Sequence, residues 1–192
     1  MIPMESRQQA DQKRIDSDFY VEGYATTFKP YVLFEDEDGP IYESFTRDSF
    51  KDTDMSDVIL QYDHSGKVLA RMRNNTLIVE VDDNGLFVGA DLSKSEASRA
   101  LYEEISNGLV DRMSWGFIPG EYHLDRKTRT IVHTKVKKIF DCSAVSIPAN
   151  ENTFIGVRSF CDGEFAKMAQ ELREHEEAKN KLLLKLKLGD LL

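Results

Sequence analysis

The chain has 192 residues, of which 41% are hydrophobic, and carries a formal net charge of −9 at pH 7. This length and apolar share suffice for one ordinary core, so one folded domain with tails is the expected organisation. The acidic balance argues against a nucleic-acid or anionic-membrane binder, because phosphate neutralisation requires Lys and Arg gathered on one surface. No apolar run reaches about eighteen residues and no basic-then-apolar start is present, so we expect neither a membrane span nor a secretory signal. We therefore expect a cytoplasmic protein whose macromolecular partners are proteins.

The composition divides the chain into three parts. Residues 1–17 are mostly polar or charged, which predicts a flexible N-terminal arm. Residues 18–158 hold short stretches rich in β-branched and aromatic residues, separated by DG, NN, DNG and SG turns, which predicts one domain built mainly of strands. Residues 159–192 are rich in helix formers with one apolar stripe among charges, which predicts an amphipathic helical tail.

Alternating apolar residues and turn signals locate the individual elements of the central part. Hairpin turns are expected at Asn74–Asn75 and Asp83–Gly85, where residues that tolerate positive φ separate alternating segments. One helix is expected to begin at Ser93 or Ser95 and to stop before Gly108. Many strands at close spacing favour a barrel or a sandwich. The predicted strands are Phe19–Phe28, Asp57–Tyr62, Lys67–Arg73, Thr76–Val81, Leu86–Leu92, Arg112–Gly120, Glu121–Leu124, Thr130–Phe140 and Cys142–Ile147, with a short second helix over Arg47–Lys51.

Three short stretches, QYDHSG, DRMSWGF and IFDCSAVSIPAN, contain the side chains that a serine hydrolase requires. That chemistry needs a hydroxyl within reach of an imidazole, and a third group that holds the ring in one tautomer. The stretches offer Ser114 as nucleophile, His64 as general base and Asp141 as the orienting group. Each residue also has an ordinary structural interpretation, as a strand serine, a turn histidine and an edge carboxylate. The stretches taken singly do not decide between the two.

Strand geometry predicts how these side chains are presented. In an extended strand Ser114 and Gly116 point to one face, and their bulky neighbours anchor the other. Asp141 and Ser143 likewise share one face of their strand. Asp63 is a poorer orienting group for the histidine that follows it, because adjacent strand residues point in opposite directions.

The other histidines and the cysteines are weaker candidates for chemistry. His123 and His133 flank a charged hairpin, His175 lies among charges, and no pair has a metal-ligand spacing. Cys142 and Cys161 offer neither a metal spacing nor a disulfide framework, so both are expected to be thiols. We predict no metal and no organic cofactor.

Four segments in this order, GYATTF, ILQYDHSGKVLARM, SWGF and the hydrophobic run ending in SIPAN, form a specific signature. Through them the sequence resembles the capsid maturation (prohead) proteases of tailed bacteriophages, a family distantly related to herpesvirus assemblin. The likeness runs from about Gly23 to Arg158. It implies a mainly β fold with peripheral helices, built on a partly open or closed antiparallel β-barrel of the herpesvirus-protease type.

The resemblance also implies roles for single residues. The histidine of the second segment is the family's base and the serine before WGF its nucleophile, which correspond to His64 and Ser114. An acidic residue commonly precedes the S-x-V run, and Asp141 stands where Glu is frequent. Assemblin uses a second histidine as its third member, which makes His123 and His133 the rivals, and we prefer Asp141.

The activity that the resemblance implies is that of a serine endopeptidase which works through an acyl-enzyme on Ser114. Its substrates would be capsid and scaffold proteins, and the protease itself, inside the assembling procapsid in the host cytoplasm. The expected partners are the major capsid protein and scaffold segments, with homo-oligomerisation left open. The alternative is a non-catalytic capsid assembly or scaffolding module. A small-ester hydrolase is a third interpretation, against which the missing G-x-S-x-G elbow argues.

Overall fold

The structure, a computed structural model, describes residues 15–157. Short strands dominate this part of the chain, with one α-helix among them and two 3-10 turns. The strands are β1 Tyr20–Thr27, β2 Tyr31–Asp36, β3 Gly39–Phe45, β4 Ile59–Tyr62, β5 Ser65–Arg71, β6 Leu77–Val81, β7 Gly85–Asp91, β8 Arg112–Pro119, β9 Tyr122–Asp125, β10 Thr130–His133, β11 Val136–Val145 and β12 Phe154–Val157; the helix α1 is Glu96–Ser106, and the 3-10 turns are Arg47–Phe50 and Met72–Asn74.

The strands form three four-stranded sheets. The first sheet has the order β12-β1-β7-β6, the second β2-β3-β10-β9 and the third β5-β4-β11-β8. Neighbours pair antiparallel except β3 with β10 and β4 with β11, which are parallel. The third sheet therefore brings together β4, which precedes the predicted base, β8, which carries the predicted nucleophile, and β11, which carries the predicted acid.

The mainly β class is confirmed, whereas the closed form of the predicted barrel and its purely antiparallel pairing are wrong. Within residues 15–157 the three sheets remain open and no closed barrel forms. Two of the three sheets are mixed, since β4 with β11 and β3 with β10 run parallel, an arrangement that requires long connections in place of hairpins. Hairpin reasoning from sequence reveals only the antiparallel pairs whose strands are neighbours in the chain.

Aromatic side chains fill the core between the second and third sheets. Phe45 from β3 lies against Trp115 and Phe117 from β8, with ring centroids 5.0 and 5.4 Å apart. Trp115 and Phe117 stack on each other at 4.2 Å, as residues two apart on one strand face do. Met113 is fully buried on the same face of β8. These contacts confirm the predicted division of β8 into a bulky inward face and an outward face of small residues.

The helix and the turns test the local predictions directly. Ser95 caps α1 by accepting a hydrogen bond from the Ser98 amide at 3.0 Å, and Gly108 follows the helix with φ of 70°. The hairpin predicted around Asp83–Gly85 is present between β6 and β7. The hairpin predicted at Asn74–Asn75 is wrong, because this turn carries the chain from the third sheet to the first.

Three strands were not predicted, and the break predicted at Asp141 is wrong, because β11 runs continuously from Val136 to Val145. Strands β2 and β3 lie in an acidic stretch whose charges and Pro40 obscure the alternation, and β2 forms an exposed sheet edge. Strand β12 is too short to give a pattern. The stretch predicted as Thr130–Phe140 is divided at Thr134 and Lys135, which donate their amides to Glu121 instead of to a neighbouring strand.

The predicted arm lies outside the described residues except for residues 15–17, and the predicted helical tail, residues 159–192, lies wholly outside them. Between residues 15 and 157, no helix combines the length and the apolar character needed to cross a membrane.

Candidate active site

Ser114 occupies the outward face of β8, opposite Ser143 of β11. Directly opposed residues of an antiparallel pair project to the same side of the sheet. On the opposite face of this strand pair Met113 and Cys142 are fully buried, so core packing holds the two strands in place. Ser114 itself is half-buried and therefore reachable from solvent.

A β-bulge in β11 brings Asp141 to the face that carries Ser114. Ile139 pairs with Phe117 and Asp141 with Gly116, so β11 advances two residues while β8 advances one, and Phe140 is the extra residue. Ile139 and Cys142 consequently both point into the core, where each is 0% exposed. Strict alternation from Ile139 would have turned the Asp141 carboxylate inwards as well.

Gly116 leaves the space that the Asp141 carboxylate occupies. A Cβ atom at Gly116 would lie 2.7 Å from Asp141 Oδ2 and 2.5 Å from Cε2 of the Phe140 ring. Both distances are far below ordinary van der Waals contact. The missing side chain therefore lets the carboxylate and the aromatic ring lie directly on β8.

His64 is presented by a two-residue turn between β4 and β5. Tyr62 pairs with Ser65, and the central residues Asp63 and His64 have φ of 47° and 54°. Two successive left-handed residues are the signature of the tight turn that matches strand twist, and Asp tolerates this conformation better than most residues. Because positive φ costs any residue other than glycine some free energy, two such residues in succession need support from their surroundings.

Asp63 and the end of β11 supply that support. The Asp63 amide donates to the Ala144 carbonyl at 2.9 Å. The Asp63 carboxylate accepts 2.8 Å hydrogen bonds from both the amide and the hydroxyl of Ser146. Asp63 thus bonds to Ser146, from a turn and not from the extended strand on which the prediction rested, and ties the turn to the strand that carries Asp141.

The imidazole of His64 reaches back along the sheet to Asp141. Its Nδ1 lies 2.7 Å from Asp141 Oδ2 and 3.1 Å from Oδ1. An ionised carboxylate can only accept, so Nδ1 carries the proton of the neutral ring and Nε2 keeps its lone pair. The side chain of Asp141 is 5% exposed and that of His64 is 37% exposed. The ring is therefore held at Nδ1 by a buried carboxylate, while part of its surface is open to solvent.

The base and the nucleophile lie on one face but are not hydrogen-bonded. Among residues 15–157, Ser114 Oγ has no hydrogen-bond partner. The register makes Asp141 and Ser114 diagonal neighbours on adjacent strands, and the Cα atoms of such neighbours are roughly 7–8 Å apart. Catalytic hydrogen bonds are often long in unliganded enzymes and tighten when substrate binds.

The rival histidines have other surroundings. His133 is buried, donates or accepts through Nε2 at 2.8 Å from Glu43, and stacks on Phe45 at 4.6 Å. His123 is exposed on β9 of the second sheet. Arg112, beside the nucleophile, forms two surface ion pairs, at 3.5 Å from Asp111 and 3.9 Å from Glu151.

Among the described residues, neither Cys142 nor a metal cluster adds a reactive group to this site. Burial raises the pKa of the Cys142 thiol, with the nearby Asp141 carboxylate acting in the same direction, so it stays protonated. Within the described part of the chain, no group of three or more His, Cys, Asp and Glu side chains could hold a metal ion.

Two contributors escaped the sequence analysis. Ser143 donates its hydroxyl to Asp141 Oδ1 at 2.7 Å, and the period-two pattern that placed both residues on one face was the available signal. The bonds between Asp63 and Ser146 had no signal, since the partners are 83 residues apart and the second lies in an irregular stretch.

A serine, an imidazole and a carboxylate that share one sheet face match the chemical inventory of the serine hydrolases. The model of one family, described as caudovirus prohead serine protease, matches residues 6–169, and the chain belongs to this family. No curated protein sequence matches the chain. Among solved structures, a crystal structure of KSHV protease in complex with a hexapeptide phosphonate inhibitor is similar at 12% identity and a TM-score of 0.45, over 71% of this chain and 63% of that chain.

Proposed function

We propose that the protein is a serine endopeptidase in which Ser114 is the nucleophile, His64 the general base and Asp141 the group that orients the base. The observation that carries this proposal is the 2.7 Å contact between His64 Nδ1 and Asp141 Oδ2 on the face that bears Ser114. An imidazole held in this way has one defined tautomer and directs its basic nitrogen away from the carboxylate.

The reaction then follows from these three side chains. His64 Nε2 removes the hydroxyl proton while Ser114 Oγ attacks the scissile carbonyl carbon, and the carbonyl π electrons move to oxygen. Collapse of the tetrahedral intermediate breaks the C–N bond, the protonated imidazole gives its proton to the departing amine, and the acyl group stays on Ser114. Water, deprotonated by the same Nε2, cleaves the ester and restores the serine. Positioned proton transfer of this kind contributes about 10²–10⁴ in rate.

The substrates we propose are capsid and scaffold proteins of the procapsid, and the protease itself. Membership of the prohead protease family supports this assignment, and so does the net charge of −9, which suits protein partners better than nucleic acid. The place of action is the assembling procapsid in the host cytoplasm. The proposed reaction needs no cofactor, because every proton transfer is made by His64 and the nucleophile is a side chain.

A fluorophosphonate tests the nucleophile without knowledge of the cleavage site. Ser114 Oγ attacks phosphorus, the P–F bond breaks, the hydroxyl proton leaves through His64, and the covalent adduct is read by intact mass and peptide mapping. The wild-type chain should acquire one adduct at Ser114, and Ser114→Ala should acquire none. Ser106→Ala is the matched control, because the Ser106 hydroxyl donates only within its helix to the Tyr102 carbonyl.

Incubation with procapsid proteins tests the substrate class. Wild type and Ser106→Ala should cut capsid or scaffold chains into fragments that mass spectrometry detects, and Ser114→Ala should leave them intact. A chain that binds these proteins, forms no adduct and cuts nothing would instead be an assembly module. The missing hydrogen bond between Ser114 and His64 in the described residues is the observation that keeps this second candidate open.

A further inference from the structure

Ser143 is a buried hydroxyl directed at the candidate acid. The residue is 0% exposed, lies opposite Ser114 across the strand pair and is two residues from Asp141 on the same face. Its Oγ donates to Asp141 Oδ1 at 2.7 Å. A hydroxyl that is removed from water must donate somewhere, and here its acceptor is a carboxylate.

The two oxygens of the Asp141 carboxylate therefore have different nearest partners, and His64 Nδ1 also lies 3.1 Å from Oδ1. Oδ1 accepts from Ser143 at 2.7 Å, and Oδ2 accepts from His64 Nδ1 at the same distance. The terminal torsion of an aspartate is broad and roughly two-fold, so packing alone defines its orientation poorly. A donor at Oδ1 selects the rotation that turns Oδ2 towards the ring.

We propose that Ser143 is a positioning residue, which acts through Asp141 to hold the His64 imidazole in the orientation and tautomer needed for proton transfer. The inference rests on the proposed function, because it concerns the same site. It adds Ser143 to the three proposed catalytic residues. The hydrogen bonds then run from buried Ser143 through Asp141 to the partly exposed imidazole of His64.

The bulge and Gly116 make this role specific to the site. The extra residue Phe140 keeps Ile139 in the core while Asp141 and Ser143 both project on the face that carries Ser114. Without the open space over Gly116, the carboxylate could not lie between the hydroxyl and the ring. A serine that merely satisfied its own buried hydroxyl would need none of these features, since a backbone carbonyl would serve.

The test compares the rate constant for fluorophosphonate labelling of Ser114 in Ser143→Ala, Ser143→Cys and Ser143→Thr. Cysteine is a weak donor of similar size and threonine keeps the hydroxyl. We expect the alanine and cysteine variants to react about tenfold more slowly, the lower end of the effect of a hydrogen bond to a charged group. Ser143→Thr should react at nearly the wild-type rate per folded molecule.

A double-mutant cycle separates positioning from general structural damage. In the Asp141→Ala background, Ser143→Ala has no carboxylate to act on and should cause no further loss. A second tenfold loss in that background, or a wild-type rate in folded Ser143→Cys, would overturn the inference. Labelling of Ser114→Ala would instead overturn the proposed function, whatever the Ser143 variants do.

Discussion

Gly116→Ala is the substitution that probes the geometry of the site most directly. The added Cβ would lie 2.7 Å from Asp141 Oδ2, and 2.5 and 2.7 Å from two atoms of the Phe140 ring. Carbon contacts are comfortable at about 3.5 Å, so each neighbour must retreat by roughly 1 Å. Phe140 is 45% exposed and can swing into solvent, whereas the carboxylate is held by His64 and Ser143.

The expected effects on stability and reactivity therefore differ in size. Because the ring yields easily, we expect a loss of about 1 kcal/mol in the free energy of unfolding, the low end for overpacking. A carboxylate displaced by that amount loses its 2.7 Å contact with His64. Hydrogen bonds to charged groups are worth about 1.5–3 kcal/mol, so fluorophosphonate labelling of Ser114 should slow by about 10–100-fold.

Urea unfolding and the labelling rate measure the two effects in the same samples. Gly89→Ala is the matched control, because its Cβ would lie 2.5 Å from the Tyr20 hydroxyl in the first sheet, away from the site. That variant should lose stability without slower labelling of the folded protein. A Gly116→Ala protein that labels at the wild-type rate would refute the argument that this glycine makes room for the acid.

Three further predictions concern acidic side chains. Asp141→Asn should slow labelling by about 10²–10⁴-fold, because an amide no longer fixes the tautomer of His64; a wild-type rate would exclude Asp141 as the orienting group. Asp63→Ala should slow labelling more than Asp63→Asn, which keeps an acceptor and a residue that tolerates positive φ, and equal rates would show that the turn needs no anchor. Burial alone would raise the pKa of Asp91, but hydrogen bonds from two serines and a lysine outweigh it and lower the pKa to about 2. Its folded-state pKa lies below the ordinary 3.8, so Asp91 stabilises the fold above about pH 4 and that contribution disappears as the pH falls through 2. Urea unfolding should find Asp91→Asn about 2 kcal/mol less stable than wild type at pH 7, with the difference closing towards pH 2, and a constant difference would contradict the assignment.

Local pattern was sufficient wherever a feature depends on residues close in the chain. The alternation around Ser114 correctly divided β8 into a core face and an outward face, because the period of a strand is set by its own backbone. The capping serine and the stop of α1 were predictable for the same reason, since each is a contact within one helical turn. Local pattern failed at Asn74–Asn75. Residues that tolerate positive φ indicate a turn there, but they do not determine whether the strands before and after it pair with each other, and β5 and β6 lie in different sheets.

The candidate residues themselves were identifiable from sequence, through three stretches that hold a serine, a histidine and an acid, and through the family signature they form. Their arrangement was decided only by tertiary structure. The parallel pairing of β4 with β11 joins segments about eighty residues apart, and the bulge at Phe140 turns Asp141 to the same side as Ser114. Both features arise from long-range packing of one strand on another, and neither leaves a trace in the periodicity of a single segment.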